Sequence, residues 1–228
     1  MANEAYIAFF DVDGTLINKN SLLSFLEYFR HHYELDDQAW FSEYCTHLRN
    51  LIVTKTERQT LNTFYYTLFR GQSEKTLDRL GEAWFTEVNT QPGFFKDDMR
   101  REVESQKRRG AEVVLVTGSF ASVVTPLGQA LSCDAVLCTQ LDVVDGFYTG
   151  ALAGPPCIGE QKVDVIRAFS SRRGIPLDRC VAFGDDVTDA AMLAAVGSGR
   201  MVENSPAYRD ELVNWGRQWI ERQAGETF

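Results

Sequence analysis

Three short apolar runs along the chain share one design. Residues 6–10 end at Asp11-Val12-Asp13-Gly14-Thr15, residues 113–116 at Thr117-Gly118-Ser119, and residues 181–183 at Gly184-Asp185-Asp186. Each run has strand length and is unbroken rather than alternating in polarity, the pattern of a parallel strand covered on both faces. Helical periodicity fills 98–109 before Gly110 and 163–173 before Gly174, with the glycines placed as C-terminal stops. Strands alternating with helices predict an α/β fold: an open Rossmann-like parallel sheet with helices on both faces and ligands at the carboxyl ends of its strands. The three polar clusters are therefore expected to converge.

Residues 18–92 follow a different pattern. Apolar positions recur at helical spacing and are rich in aromatics, among them Phe25, Phe29, Tyr65, Tyr66, Phe69 and Trp84. This stretch reads as an inserted helical cap. It leaves an α/β core made of 1–17 and 93–228 just after the first acidic cluster, and it returns at the turn signal Gln91-Pro92-Gly93. Its aromatic stripe is expected to form the insert's own core. Within 141–152, Asp145-Gly146 between two strand-like runs predicts a β-hairpin, expected to lie peripheral to any site.

Composition narrows the function classes. The 228 residues carry a net charge of -9, and 44% are hydrophobic. The acidic balance argues against nucleic acid or an anionic membrane as the main partner, since both need a basic footprint. Five cysteines without a CxxC pair fit reduced thiols, and histidines only at 31, 32 and 47 leave no His/Cys zinc pattern. An N-terminus without a basic region before a long apolar run does not read as a signal peptide, and no stretch has the length of a membrane span. A cytoplasmic protein is expected.

The polar clusters together supply what hydrolysis of a phosphate monoester requires. Such esters need accelerations on the order of 10²¹-fold, with charge neutralised at every stage. Asp11 can attack phosphorus to form an aspartyl-phosphate, dividing one hard step into two. Asp13, two residues on, can protonate the leaving alcohol and then activate water. A carboxylate nucleophile repels an anionic substrate unless a hard cation intervenes, and Mg²⁺ bound by Asp11 and Asp185 fits that need. Gly14 allows close backbone approach to the phosphoryl group, and Thr15 begins a turn. Thr117, with the amides of Gly118 and Ser119 at a helix N-terminus, can hold phosphoryl oxygens, while Lys162 adds a point charge. Asp189 is placed to orient Lys162 or a metal-bound water, with Asp186 behind it.

These residues resemble the signature of the haloacid dehalogenase-like hydrolase superfamily: DxDGT, a Thr or Ser after a second strand, a distant Lys, and GDxxxD. Here they stand as 11–15, Thr117, Lys162 and 184–189. The helical insert and the stretch YTGALAGPPCIGEQK are similar to the subgroup that contains phosphoserine phosphatase. The resemblance implies that the backbone carbonyl of Asp13 also binds Mg²⁺. Phosphoserine phosphatases carry a cap glutamate nine residues after the nucleophile, where this chain has Asn20. Arg49 and Arg58 are candidate anchors for a substrate carboxylate. The expected activity is a Mg²⁺-dependent phosphatase acting on a small phosphorylated metabolite. A phosphotransferase or mutase on the same scaffold, and a binding protein that has lost activity, are the alternatives. The leaving group, whether of phosphoserine, histidinol phosphate or another monoester, is left open, as is the oligomeric state.

Overall fold

The computed structural model describes residues 5–32, 38–206 and 208. Five parallel strands form the sheet: β1 (Tyr6–Phe10), β2 (Ala111–Phe120), β3 (Ala135–Thr139), β6 (Val181–Gly184) and β7 (Ser198–Met201), in the order β3-β2-β1-β6-β7. The unbroken apolar runs are explained by burial on two sides. Ala8, Phe10, Val113 and Leu115 face one layer, with Met99 and Val103 of helix α5 (Asp97–Arg108) and Val123 and Leu127 of helix α6 (Ala121–Ala130). Ile7, Phe9, Val114 and Val116 face the other, with Ile166 and Phe169 of helix α7 (Glu160–Arg173) and Met192 of helix α8 (Ala190–Ala195). Side chains that alternate across a strand thus fill two cores. The edge strand β7 reads SGRM and is exposed throughout, so no apolar run marks it in the sequence.

The chain order reverses at β1, which has β2 on one side and β6 on the other. Such a switch point opens a crevice at the strand ends. The Asp11 N–H continues the pairing beyond β1 by donating to the Phe183 carbonyl at 2.9 Å. This fixes the first carboxylate beside the loop that follows β6.

Between β1 and α5 the described residues form four α-helices: α1 (Ser21–His32), α2 (Gln38–Val53), α3 (Arg58–Tyr66) and α4 (Glu74–Val88). Asn20 caps α1, its side-chain oxygen accepting the Leu23 N–H at 3.0 Å. The aromatic stripe buries as expected, but it does not form a core of its own. Phe25 packs against Phe29, Phe69 and Trp84 and also against Phe120, the last residue of β2, with centroids 5.8–6.2 Å apart. The insert and one face of the sheet therefore share one apolar cluster. A strand-end aromatic is one of many sequence candidates for such a contact, which is why local periodicity does not reveal it.

The hairpin forms as predicted from β4 (Leu141–Val144) and β5 (Phe147–Leu152), with Asp145 and Gly146 both at positive φ. None of its residues lines the cavity at the strand ends, and it is tied to the insert. The Gly71 N–H donates to the Tyr148 carbonyl at 2.7 Å, and the Tyr148 N–H donates to Gln72 at 2.9 Å. Among the described residues, no helix is long and apolar enough to cross a membrane.

Helix α4 meets α6 at Gly81, where an added Cβ would stand 1.8 Å from the Ser122 carbonyl oxygen. Alanine in a helix is normally favoured over glycine by about 1 kcal/mol. Here Gly81→Ala is expected to lower stability by about 1–3 kcal/mol through overpacking, read as a lower urea midpoint at unchanged m-value; a raised midpoint would contradict this packing.

Candidate active site

The crevice collects the acidic clusters around one buried ammonium. Lys162, on the first turn of α7, donates to Asp11 Oδ1 at 2.5 Å and to Asp189 Oδ1 at 2.6 Å, and all three side chains are buried. Burial disfavours the ammonium, but the two carboxylates outweigh it and hold Lys162 above its usual range. The other oxygen of Asp189 accepts the backbone N–H groups of Asp185 and Asp186 at 3.1 and 3.2 Å. Asp189 therefore shapes the loop after β6 as well as orienting Lys162. Asp186 accepts the Thr188 N–H at 2.9 Å and pairs with Arg58 of α3 at 3.4 Å. These partners keep its carboxyl below the ordinary value although burial pushes the other way.

Asp11 and Asp13 sit in different surroundings. Burial raises Asp11 well above the carboxylate range, Asp189 adds to this, and Lys162 opposes it. Asp13 has one oxygen bonded by the Ser21 hydroxyl at 3.0 Å, while the other is buried and lacks a hydrogen-bond partner. Burial pushes its carboxyl up to about 7. One carboxylate of the pair is thus paired with a cation, and the other is suited to holding a proton near neutral pH.

Oxygens of Asp11, Asp185 and Asp189 lie within 4.8 Å of one another. Hard carboxylate oxygens at that spacing suit a cation such as Mg²⁺. Because both Asp189 oxygens are already hydrogen-bonded, Asp11 and Asp185 are the better pair of ligands. Burial also raises the Asp185 carboxyl, opposed by the hydrogen bond from Thr15.

Eleven of the residues expected at the site line one small cavity of ≈ 80 Å³: Asp11, Asp13, Asn20, Arg58, Thr117, Gly118, Ser119, Lys162, Asp185, Asp186 and Asp189. Three do not. Gly14 and Thr15 do not line the cavity but adjoin Asp185, which does. The Thr15 hydroxyl donates to Asp185 Oδ1 at 2.9 Å, and Gly14, at φ 78°, leaves room that a Cβ would fill 2.4 Å from Asp185 Oδ2. Arg49 lines no part of this cavity, and its Nε is buried without a hydrogen-bond partner. The Thr117-Gly118-Ser119 stretch also differs from expectation. It belongs to the end of β2, and α6 begins only at Ala121. The Ser119 N–H turns back to Thr117 Oγ1 at 3.1 Å.

Several participants lack a sequence signal. Asn62 Nδ2, the Tyr66 hydroxyl and the Thr139 hydroxyl all donate to the Gly118 carbonyl, at 2.9, 2.7 and 2.8 Å, locking that peptide from the insert and from β3. Buried Lys96 donates to the carbonyls of Gly14 at 2.9 Å and Glu203 at 2.6 Å. Leu22, Ile158, Thr188 and Tyr208 complete the cavity wall. Thr188 falls at a variable position of GDxxxD and Ile158 within the stretch YTGALAGPPCIGEQK, and the others belong to no spaced motif; the fold brings them together.

A parallel sheet with a carboxylate cluster and a buried lysine at its switch point is an α/β architecture with a charged site at its strand ends. A family model of haloacid dehalogenase-like hydrolases matches residues 8–194, and the chain belongs to that family. A probable phosphatase of Mycobacterium tuberculosis is 30% identical over 206 residues, which is 90% of this chain and 71% of the relative. Among solved structures, a protein of unknown function from Bordetella pertussis Tohama I aligns with a TM-score of 0.78 at 22% identity, covering 94% of this chain and 96% of that one. A phosphoserine phosphatase in its apo form aligns with a TM-score of 0.62 at 18% identity, covering 91% of each chain.

The burial of Asp13 has a measurable consequence in metal-free protein. In the unfolded chain its carboxyl loses a proton near pH ~4, but in the fold only at about 7. Between these values the folded state keeps a proton that the unfolded state releases. The stability this confers is complete below pH ~4 and is lost as the pH rises to about 7, by about 1.4 kcal/mol per unit. Asp13→Asn should remove that slope, so urea melts across the window should show the variant gaining on the parent as pH rises. A constant difference would mean that Asp13 is ionised throughout.

Proposed function

We propose that the chain is a Mg²⁺-dependent phosphatase that hydrolyses a small phosphate monoester through an aspartyl-phosphate. The observation that supports this most strongly is the contrast within the pair at the end of β1: Asp11 is bound to Lys162, and Asp13 carries a buried, unpartnered oxygen. Asp11 attacks phosphorus while the ester bond to the leaving oxygen breaks, and Asp13 gives that oxygen its proton. Asp13, now ionised, takes a proton from the water that attacks the aspartyl-phosphate. The bond to Asp11 breaks, inorganic phosphate departs, and both carboxyl groups return to their starting states.

The remaining residues handle charge and position. The cavity presents five carboxylates, Asp11, Asp13, Asp185, Asp186 and Asp189, against the cations Arg58 and Lys162. Asp11, Asp185 and the Asp13 carbonyl would hold Mg²⁺, which when bound would supply the positive charge that a phosphate dianion needs in this field. Lys162 neutralises phosphoryl oxygens as well as Asp11, and Asp189 holds its ammonium in place. Thr117 and Ser119 face the same oxygens from β2. Residues 18–92 act as a cap over a core formed by 1–17 and 93–228, since Asn20, Leu22, Arg58 and Asn62 of that stretch reach the cavity. Five free cysteines fit a reducing compartment such as the cytoplasm.

Asp11→Asn is expected to remove phosphate release, a loss of at least ~10⁴-fold in kcat, while the melting curve stays cooperative. Turnover near that of the parent would overturn the nucleophile assignment. Chelation should abolish activity and added Mg²⁺ restore it. In isotope-labelled water, one labelled oxygen should enter each released phosphate; label-free phosphorylated products would favour phosphoryl transfer to another alcohol.

A further inference from the structure

Beside the small cavity lies a second, larger one of ≈ 640 Å³ lined by α1, α2 and α3. The two share Asn20, Leu22, Arg58, Asn62 and Ile158, so they adjoin along these side chains. The larger volume is in the range that takes drug-sized ligands and far exceeds what a serine side needs. The wall is mainly aliphatic and aromatic: Leu22, Leu48, Ile52, Leu61, Tyr65 and Ile158. Lys55 and Glu57 are exposed residues between α2 and α3, at its rim.

Polar recognition inside this chamber is sparse. Among the described residues that line it, Glu57 is the one carboxylate, and it is solvent-exposed. The side-chain oxygen of Asn20 is taken up by the cap of α1. Arg58 is paired with Asp186. Asn62 Oδ1, buried and without a hydrogen-bond partner, is a single neutral acceptor where the two cavities adjoin. An amino-acid leaving group would bring both an ammonium and a carboxylate, and one neutral acceptor does not offset the desolvation of two charges. An apolar body gains by leaving water.

We infer that the leaving group is a bulky, predominantly apolar alcohol, larger than serine and without a required ammonium, with its phosphate in the small cavity and its hydrocarbon or aryl part in the chamber. This deepens the phosphatase reading and rests on it for the placement of the phosphoryl group.

The test uses n-alkylphosphonates, which cannot be hydrolysed, from methyl to octyl, binding to the Mg²⁺-loaded protein and followed by thermal shift and calorimetry. Affinity is expected to rise about fourfold per methylene until the chamber is full, and kcat/KM for the matching n-alkyl phosphates should rise in parallel, above that for O-phosphoserine. Equal affinity for methyl- and octylphosphonate, or O-phosphoserine turned over faster than every alkyl phosphate, overturns the inference. If no monoester releases phosphate, the phosphatase reading fails, and the phosphonate series still decides the chamber's chemistry. Ile52→Trp and Leu61→Trp fill the chamber from two helices. Each should lower the octyl-to-methyl affinity ratio by about tenfold, equivalent to roughly two lost methylenes; an unchanged ratio in a variant that melts cooperatively counts against the proposal. Should both variants fail to fold, the length series on the parent protein is the deciding measurement.

Discussion

The buried ammonium of Lys162 is the constraint around which the site is arranged. It stands between Asp11 and Asp189, each pair within 2.6 Å, where solvent screens almost nothing. A buried ion pair adds little net stability because desolvation offsets attraction, yet removing one partner leaves an uncompensated charge that costs about 3–5 kcal/mol. The three residues come from β1, α7 and the turn after β6, so this electrostatic demand fixes the relative positions of three elements. Asp189 extends the constraint through its second oxygen, which gathers the backbone of Asp185 and Asp186. Thr15 and Gly14 then hold Asp185 in place, and Lys96 secures the Gly14 carbonyl. Much of the motif chemistry is thus support for a carboxylate that must keep its oxygens facing the cavity.

A second set of contacts joins this acidic cluster to the helical insert. The Gly118 carbonyl receives donors from Asn62 and Tyr66 on α3 and from Thr139 on β3. Phe120, two residues on, is wedged among Phe25, Tyr66 and Phe69. The end of β2 therefore answers to both the sheet and the insert. This explains why the strand runs on to Phe120 before α6 begins: the peptide groups of 118–120 have better partners in α3 and β3 than in an early helical turn. Helices that share a core with the sheet, together with the Gly71–Gln72 turn tied to β5 by backbone hydrogen bonds, hold the chamber wall at a defined distance from the carboxylates.

The sequence and the structure agree where chemistry is local. Strands β1 and β6 were legible because burial on two faces demands an unbroken apolar run, and the acidic clusters were legible because carboxylates directly after such a run have little structural use. Strand β7 was not, since an exposed SGRM segment is held by pairing with β6 and not by its own pattern. Gly14 and Thr15 were found, but for a different reason than their contacts reveal: they serve Asp185, 170 positions away from Thr15 in sequence. Arg49 is a candidate in sequence because arginine suits carboxylates, but it is not among the residues that line the cavity. Asn62 and Lys96 carry no spacing signal because each acts on a backbone carbonyl, a partner that every residue possesses.

The same distinction separates reaction from substrate. Phosphoryl chemistry needs a few charged groups at fixed short range, and one strand end, one loop and one helix turn can encode them as compact motifs. On the proposed reading the leaving group is selected by a wall assembled from Leu22, Leu48, Ile52, Leu61, Tyr65 and Ile158, ordinary apolar residues spread over four segments of chain. Each is indistinguishable in sequence from a core residue, because burial against a ligand and burial against protein impose the same composition. Asn20 shows the limit from the polar side. As a helix cap it satisfies a structural demand with the oxygen that could otherwise have met an ammonium, so its identity alone states that a carboxylate is missing and not what has replaced it. What replaces it is shape, and shape is set by how α1, α2 and α3 pack on the shared aromatic cluster.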